Sequence, residues 1–172
     1  SFPSGGIFMN AWELLCGTVP LKVRGGLPDS FSSLSCDSRR TERGALFFCL
    51  GGVGLEGEAF LPEAAARGAA AAVVSHPLDS PLPQIVVSSP RAAYAAAWSN
   101  LCGRPGDRLR LLAVTGTNGK TSVTYLLRSI LRAAGISSSL IGTVGGDMTC
   151  PDPDVLYPLL SQLANSGREA VV

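Results

Sequence analysis

The sequence predicts an α/β protein: a small N-terminal α/β domain followed by the start of a second, Rossmann-like domain with a phosphate-binding loop. Three observations carry this reading. Residues 45–50 (ALFFCL) form a buried strand pattern, and 71–74 (AAVV) and 84–87 (QIVV) give two more, with helical apolar spacing between them. Residues 111–114 (LLAV) are apolar without alternation, as in a strand covered on both faces. That run breaks at once into the glycine-rich turn 115–121 (TGTNGKT), after which apolar residues recur at helical spacing.

The elements follow in order. Residues 9–15 (MNAWELL) predict a short helix, and 17–28, with three glycines and two prolines, a loop. A brief strand is expected over 33–36, and the buried strand over 45–50 ends at Gly51 and Gly52. Phe60, Leu61, Ala64 and Ala65 give a helix stopped by Gly68. A proline-rich turn separates the strands 71–74 and 84–87. Ser89 is a good N-cap with Pro90 at the first helical position, opening a helix to about Leu101.

The stretch 103–107 (GRPGD) reads as a connector, dividing the chain into domains at residues 1–106 and 107–172. Beyond it come the strand 111–114 and a helix marked by Val123, Leu126, Leu127, Ile130, Leu131 and Ala134, with Gly135 as its stop. A strand is expected over 138–141, then a loop to Asp154. Pro158 argues that the next helix begins no earlier than about Asp154, where a proline still falls in the opening turn. That helix stops near Gly167, and 169–172 is the onset of a third strand, so the second domain is expected to be truncated.

Composition narrows the function. With 172 residues, 46% of them hydrophobic, and a mean hydropathy of +0.28, the chain can pack a core as one domain or two small ones. A net charge of +1 offers no polyanion-binding surface, so nucleic acid is not an expected partner and any phosphate site must be local. The five cysteines are odd in number and form no C-x-x-C pair, so neither a zinc site nor a disulfide framework is suggested; a reducing cytoplasm fits. No apolar run reaches the length of a membrane span, and residues 1–6 (SFPSGG) lack the features of a signal peptide.

The turn is the chemical centre. Gly116 and Gly119 can take backbone angles closed to other residues and let amides approach an anion. Lys120 adds a cation, Thr121 a hydroxyl able to hold magnesium, and the helix that follows turns its positive end toward a phosphate. Val114 stands where G-x-x-x-x-G-K-[ST] has its first glycine, so the general pattern is not met. The residues Thr115-Gly116-Thr117-Asn118-Gly119-Lys120-Thr121 instead resemble the shortened ATP loop of the Mur ligase family, the ATP-dependent amide ligases of peptidoglycan synthesis. Folylpolyglutamate synthetases have glycine where this chain has Thr121. The resemblance extends through Asp37-Ser38-Arg39, 44–48 (GALFF), 52–60 (GVGLEGEAF) and 68–74 (GAAAAVV), which are similar to the family's uridine-nucleotide-binding domain. Residues 140–152 resemble the branch that adds the third peptide residue, diaminopimelate or lysine.

The resemblance implies the following roles. Gly116, Thr117, Asn118, Gly119, Lys120, Thr121 and Ser122 would bind ATP, with Lys120 as the catalytic cation and Thr121 as the Mg2+ ligand. Ser38, Gly51 and Gly52 would contact the uridine end of a UDP-N-acetylmuramoyl dipeptide, and Thr149 and Cys150 match paired threonines that hold its sugar or phosphate portion. Cysteine stands at the second of these, and Glu58 stands where the family has a histidine. Further magnesium-binding, carbamylated-lysine and amino-acid-binding parts would lie beyond Val172, so this chain alone is expected to bind and not to catalyse, as a monomer with no membrane association. The alternatives are the dipeptide-adding ligase, a folylpolyglutamate synthetase-like ligase, or a non-catalytic nucleotide-binding module. Taken without the resemblance, Asp37-Ser38-Arg39 is an Asx-type turn, His76 a surface residue and Cys150 no nucleophile, while Trp12 and Trp98 are expected in the core.

Overall fold

A computed structural model of the chain describes residues 9–51, 57–142 and 150–172. It divides into two compact units, Ser1–Leu101 and Cys102–Val172. The first opens on α1 (Ala11–Leu14), whose N-cap Asn10 accepts from the backbone of Trp12 and Glu13 while Glu13 reaches back to the Asn10 amide. Then follow β1 (Pro20–Arg24), β2 (Leu34–Ser35), β3 (Leu46–Phe48), α2 (Leu61–Ala66), β4 (Ala71–Val74), β5 (Gln84–Val87) and α3 (Pro90–Leu101).

These strands form one sheet in the order β1-β5-β4-β3-β2, parallel except for β1, which runs antiparallel to β5. β3, β4 and β5 are buried along their whole length, as sheets covered on both faces require. On one face Phe47, Ala72, Val74 and Val86 pack with Leu61 and Ala64 of α2. On the other, Phe48 meets Tyr94 of α3 at 5.1 Å between ring centroids, and Tyr94 meets Trp98 edge-on at 6.3 Å. Asn100 of α3 donates to the carbonyls of Leu14 and Cys16, both at 2.9 Å, which fastens the end of α1. Buried Gln84 exchanges two 2.9 Å bonds with the backbone of Leu78 and so holds the proline-rich turn before β5.

The second unit contains β6 (Arg110–Leu111), α4 (Lys120–Ala133), β7 (Ser138–Ser139), α5 (Pro153–Asn165) and β8 (Ala170–Val171). Its three strands are parallel in the order β6-β8-β7, and Leu109, Leu160, Ala164 and Val171 form the core beneath α5. Three helices return to the sheet through connections of equal length, 67–70 after α2, 134–137 after α4 and 166–169 after α5. Each carries glycine at its second position with positive φ, +92° at Gly68, +75° at Gly135 and +79° at Gly167. In each the residue after the glycine donates to the carbonyl five residues back, as in Ala69 to Ala64 at 3.0 Å, Ile136 to Leu131 at 2.9 Å and Arg168 to Leu163 at 3.1 Å. The left-handed angle that closes this cap is open to glycine without a Cβ penalty.

Several expectations are corrected. β1 lies inside the segment read as a loop; it is an edge strand exposed along most of its length and starting on a proline, so it carries no alternation to read. The strand expected over 111–114 is Arg110–Leu111, and its edge position with β8 as its neighbour leaves Leu111 52% exposed. The apolar positions of α4 do form a helix, yet Val123, Leu126 and Ile130 remain exposed. β7 is shorter than 138–141. α5 starts at Pro153 with Pro158 inside it rather than in its first turn. Trp98 is buried as expected, whereas Trp12 projects outward at 56% exposure, since α1 buries Ala11 and Leu14 instead.

Candidate functional site

In the second unit the loop after β6 leads straight into α4. Gly119, at φ +77°, is the N-cap, and Lys120 is the first helical residue. Among the described residues, no amide from Gly116 to Ser122 donates to an acceptor in the protein; the first to do so is Val123, to the Gly119 carbonyl at 3.0 Å. Gly116, Thr117, Asn118, Gly119, Thr121 and Ser122 are exposed. A run of open amides at the positive end of a 14-residue helix is a ready anion site.

Lys120 folds back over this run. Its Nζ donates to the Gly116 carbonyl at 2.5 Å and lies 3.4 Å from that of Thr117, so its charge stands over the loop itself. An anion arriving at the amides would find an ammonium group already there, held by neutral carbonyls rather than by a competing carboxylate. The Thr121 hydroxyl makes no hydrogen bond among the described residues, while its carbonyl accepts from the Thr124 hydroxyl at 2.8 Å. Lys120 and Thr121 border a cleft of about 600 Å³, whose wall also includes Tyr125, Arg128, Cys150 and Leu156. Cys150 is exposed there; Thr149 lies outside the described residues. The sequence reading does not single out Tyr125 or Arg128, although the i, i+4, i+8 spacing of Lys120, Thr124 and Arg128 puts Arg128 on the helix face of Lys120.

In the first unit the predicted residues follow the carboxyl ends of parallel strands, the rim where α/β sheets receive ligands. Ser38, after β2, is only 3% exposed, and its hydroxyl donates to Glu63 of α2 at 2.5 Å. It opens a single 3-10 turn, Ser38–Arg40, capped by the Asp37 carboxylate. Gly51, after β3, is exposed, with its carbonyl 3.5 Å from the Arg91 guanidinium; Gly52 lies outside the described residues. Glu58 lies 3.3 Å from His76 Nδ1, and Ser75, after β4, donates to Glu58 at 3.4 Å. Cys49 is buried at the end of β3, and burial together with the Glu58 charge pushes its thiol up to about 12, so it is no nucleophile at neutral pH. The described residues contain no group of three or more His, Cys, Asp or Glu able to hold a metal ion, and no helix long and apolar enough to cross a membrane.

Arg39 donates to Asp37 through its amide at 3.0 Å, its Nε at 3.0 Å and its Nη2 at 2.9 Å. The Arg39 guanidinium thereby holds the Asp37 carboxyl below its ordinary range, against a smaller opposing effect of burial. A depressed folded-state pKa adds stability above the ordinary aspartate value, and that stability is lost as pH falls through the folded value. An NMR titration should give Asp37 a midpoint below that of an ordinary aspartate, and Arg39→Ala should raise it. An unshifted Asp37 in the native chain would show the pair to be loose in solution.

The architecture so far defines a class: an α/β protein of two units, each with parallel strands and with loops of interest at their carboxyl ends. Residues 30–99 match the Mur ligase family, catalytic domain, and residues 114–172 match the Mur ligase middle domain. The chain belongs to the Mur ligase family. It is 43% identical over 156 residues to the UDP-N-acetylmuramoyl-L-alanyl-D-glutamate–2,6-diaminopimelate ligase of Geobacillus kaustophilus, covering 86% of this chain and 32% of that protein. The Agrobacterium fabrum protein of the same name is 36% identical over 173 residues, covering 95% of this chain and 34% of its own length. A solved structure of a ligase of this name superposes with a TM-score of 0.68 at 26% identity, covering 90% of this chain and 35% of that one. The dipeptide-adding ligase of Acinetobacter baumannii, with a TM-score of 0.61, 23% identity and coverage of 100% of this chain and 37% of that one, shares the fold. The chain thus spans about a third of the length of the curated relatives it matches.

Proposed function

We propose that the complete protein is an ATP-dependent amide ligase of peptidoglycan precursor synthesis, adding diaminopimelate or lysine to UDP-N-acetylmuramoyl-L-alanyl-D-glutamate. Residues 1–106 serve as the UDP-substrate domain and 107–172 as the opening part of the ATP domain. The observation that carries this reading is the run of undonated amides from Gly116 to Ser122 beneath Lys120, at the head of α4. The relatives' names support the choice of substrate.

The chemistry needs little covalent help from the protein. The γ-phosphoryl group of ATP passes to the terminal carboxylate of the dipeptide with release of ADP. The amine of the incoming amino acid then displaces phosphate, leaving an amide. The amides of Asn118, Gly119, Lys120 and Thr121 orient the phosphates, joined by those of Gly116, Thr117 and Ser122. Lys120 exchanges the carbonyls of Gly116 and Thr117 for phosphate oxygens and offsets the charge that develops during transfer. Thr121, whose hydroxyl borders the cleft without a partner among the described residues, fits a hard cation that takes oxygen ligands. Mg2+ held there by Thr121 would supply charge neutralisation during phosphoryl transfer. Ser38, Gly51 and Gly52 are assigned to contact the uridine end of the substrate, and Thr149 and Cys150 to hold its sugar or phosphate portion. The protein acts in the cytoplasm as a monomer.

Cys150 gives a direct test, because it borders the same cleft as Lys120 and Thr121. MgATP should slow its alkylation, followed by peptide mass spectrometry, while Cys16, exposed in the first unit, reacts at an unchanged rate. Equal labelling of Cys150 with and without MgATP would overturn the nucleotide site.

A further inference from the structure

The role given to Lys120 leaves acceptors behind in its own loop. In the free protein its Nζ serves the carbonyl oxygens of Gly116 and Thr117, at 2.5 and 3.4 Å, and no other donor reaches either oxygen among the described residues. An ammonium carries three protons. Two contacts are already made, and a lysine that neutralises both the β and the γ phosphate needs two more, so at least one carbonyl is released when ATP arrives. The released oxygen stays on the loop that carries the phosphates. Carbonyl and phosphate oxygens only accept, and side by side they repel unless a positive charge stands between them.

We propose that the carbonyls of Gly116 and Thr117 form a monovalent-cation site, filled by the Lys120 ammonium in the free protein and by potassium once Lys120 has moved onto the phosphates. This rests on the reading of the loop as an ATP site, and the place is separate from the Mg2+ position at Thr121. Its ligands decide the kind of ion. Neutral carbonyls that seat an ammonium suit an ion of similar size and single charge, because carbonyl oxygens can stand in for the hydration shell of potassium. Mg2+ is poorly served there, since it demands oxygens at about 2.0–2.1 Å in octahedral array and gives up water reluctantly. Among the described residues lining the cleft there is also no aspartate or glutamate to draw a dication in. Gly116 and Thr117 are exposed, which gives the ion a route from solvent. Water alone would fill the lone pairs and leave the repulsion in place.

The test is calorimetric titration of the 172-residue chain with MgATP in chloride salts of potassium, ammonium or tetramethylammonium at one ionic strength. Potassium and ammonium should each tighten MgATP about fivefold over tetramethylammonium, which is too bulky for the place; that factor is the upper end for charges paired within reach of solvent. Thallium(I), a potassium stand-in with an NMR-active nucleus, gives a second readout. Its resonance should broaden with the native chain only when MgATP is present, beyond the effect of MgATP alone, because Lys120 otherwise fills the place. With Lys120→Ala it should broaden without nucleotide. Equal MgATP affinity in potassium and tetramethylammonium overturns the cation site and leaves the ATP site standing. Thallium broadening by the nucleotide-free native chain that Lys120→Ala does not increase puts the ion elsewhere and overturns it too. No MgATP binding in any of the salts overturns both the cation site and the ATP site.

Discussion

Lys120→Ala in the complete protein is expected to cut ATP-dependent phosphate release by at least about 100-fold, the scale of losing one preorganised electrostatic partner of a developing charge. Affinity for the UDP-linked substrate should be essentially unchanged. The expectation follows from how Lys120 is held: its ammonium contacts two carbonyls of its own loop, Gly116 and Thr117, and among the described residues no carboxylate pairs with it. The loop should therefore survive the substitution, and α4 loses a first-turn lysine that its dipole did not favour. The loss then lies in the chemical step. Phosphate release at the native rate, measured with saturating ATP and substrate, would remove Lys120 from the mechanism.

The largest effect on stability is expected from Phe48→Ala. Phe48 is fully buried in β3, paired in register with Val73 of β4 and stacked at a tilt against Tyr94, which in turn meets Trp98. Truncation of such a ring costs about 3–5 kcal/mol, and loss of the aromatic contact adds about 0.5–1.5 kcal/mol. Against a total of about 5–15 kcal/mol for a domain, that leaves the first unit close to unfolding. Urea denaturation followed by tryptophan fluorescence should show the shift, since both tryptophans, Trp12 and Trp98, belong to this unit. Phe48→Leu, which keeps most of the volume, should lose far less. Equal midpoints for native chain and Phe48→Ala would mean that this face of the sheet is not packed as described.

What could be read in the sequence was whatever announces itself locally. The buried strands β4 and β5 were legible to the residue, because an uninterrupted apolar run flanked by turn residues has no competing reading in so short a span. The helix ends at Gly68, Gly135 and Gly167 were legible for the same reason. β1 was hidden, because an exposed edge strand is specified by its partner β5, sixty residues away, and not by its own pattern. Trp12 lies outside the core because a four-residue helix buries only one narrow stripe, and Ala11 and Leu14 occupy it. At the loop, the sequence identified Gly116 to Ser122 but not where Lys120 would rest. In the first unit it identified Ser38 but not Glu63, twenty-five residues away, since the bond between them depends on how α2 crosses the end of β2.

The three equal four-residue returns, each pivoting on a left-handed glycine, have an evolutionary corollary. Within each unit they fix the distance and angle at which the chain re-enters its own sheet, at the end opposite the loops proposed to bind ligands. Diversification is thereby channelled, within each unit, to the loops that leave the carboxyl ends of the strands, such as 36–41 and 112–119, which can change length and chemistry without retuning the frame. Relatives that take a new substrate should differ there first, while the glycine pivots stay where they are.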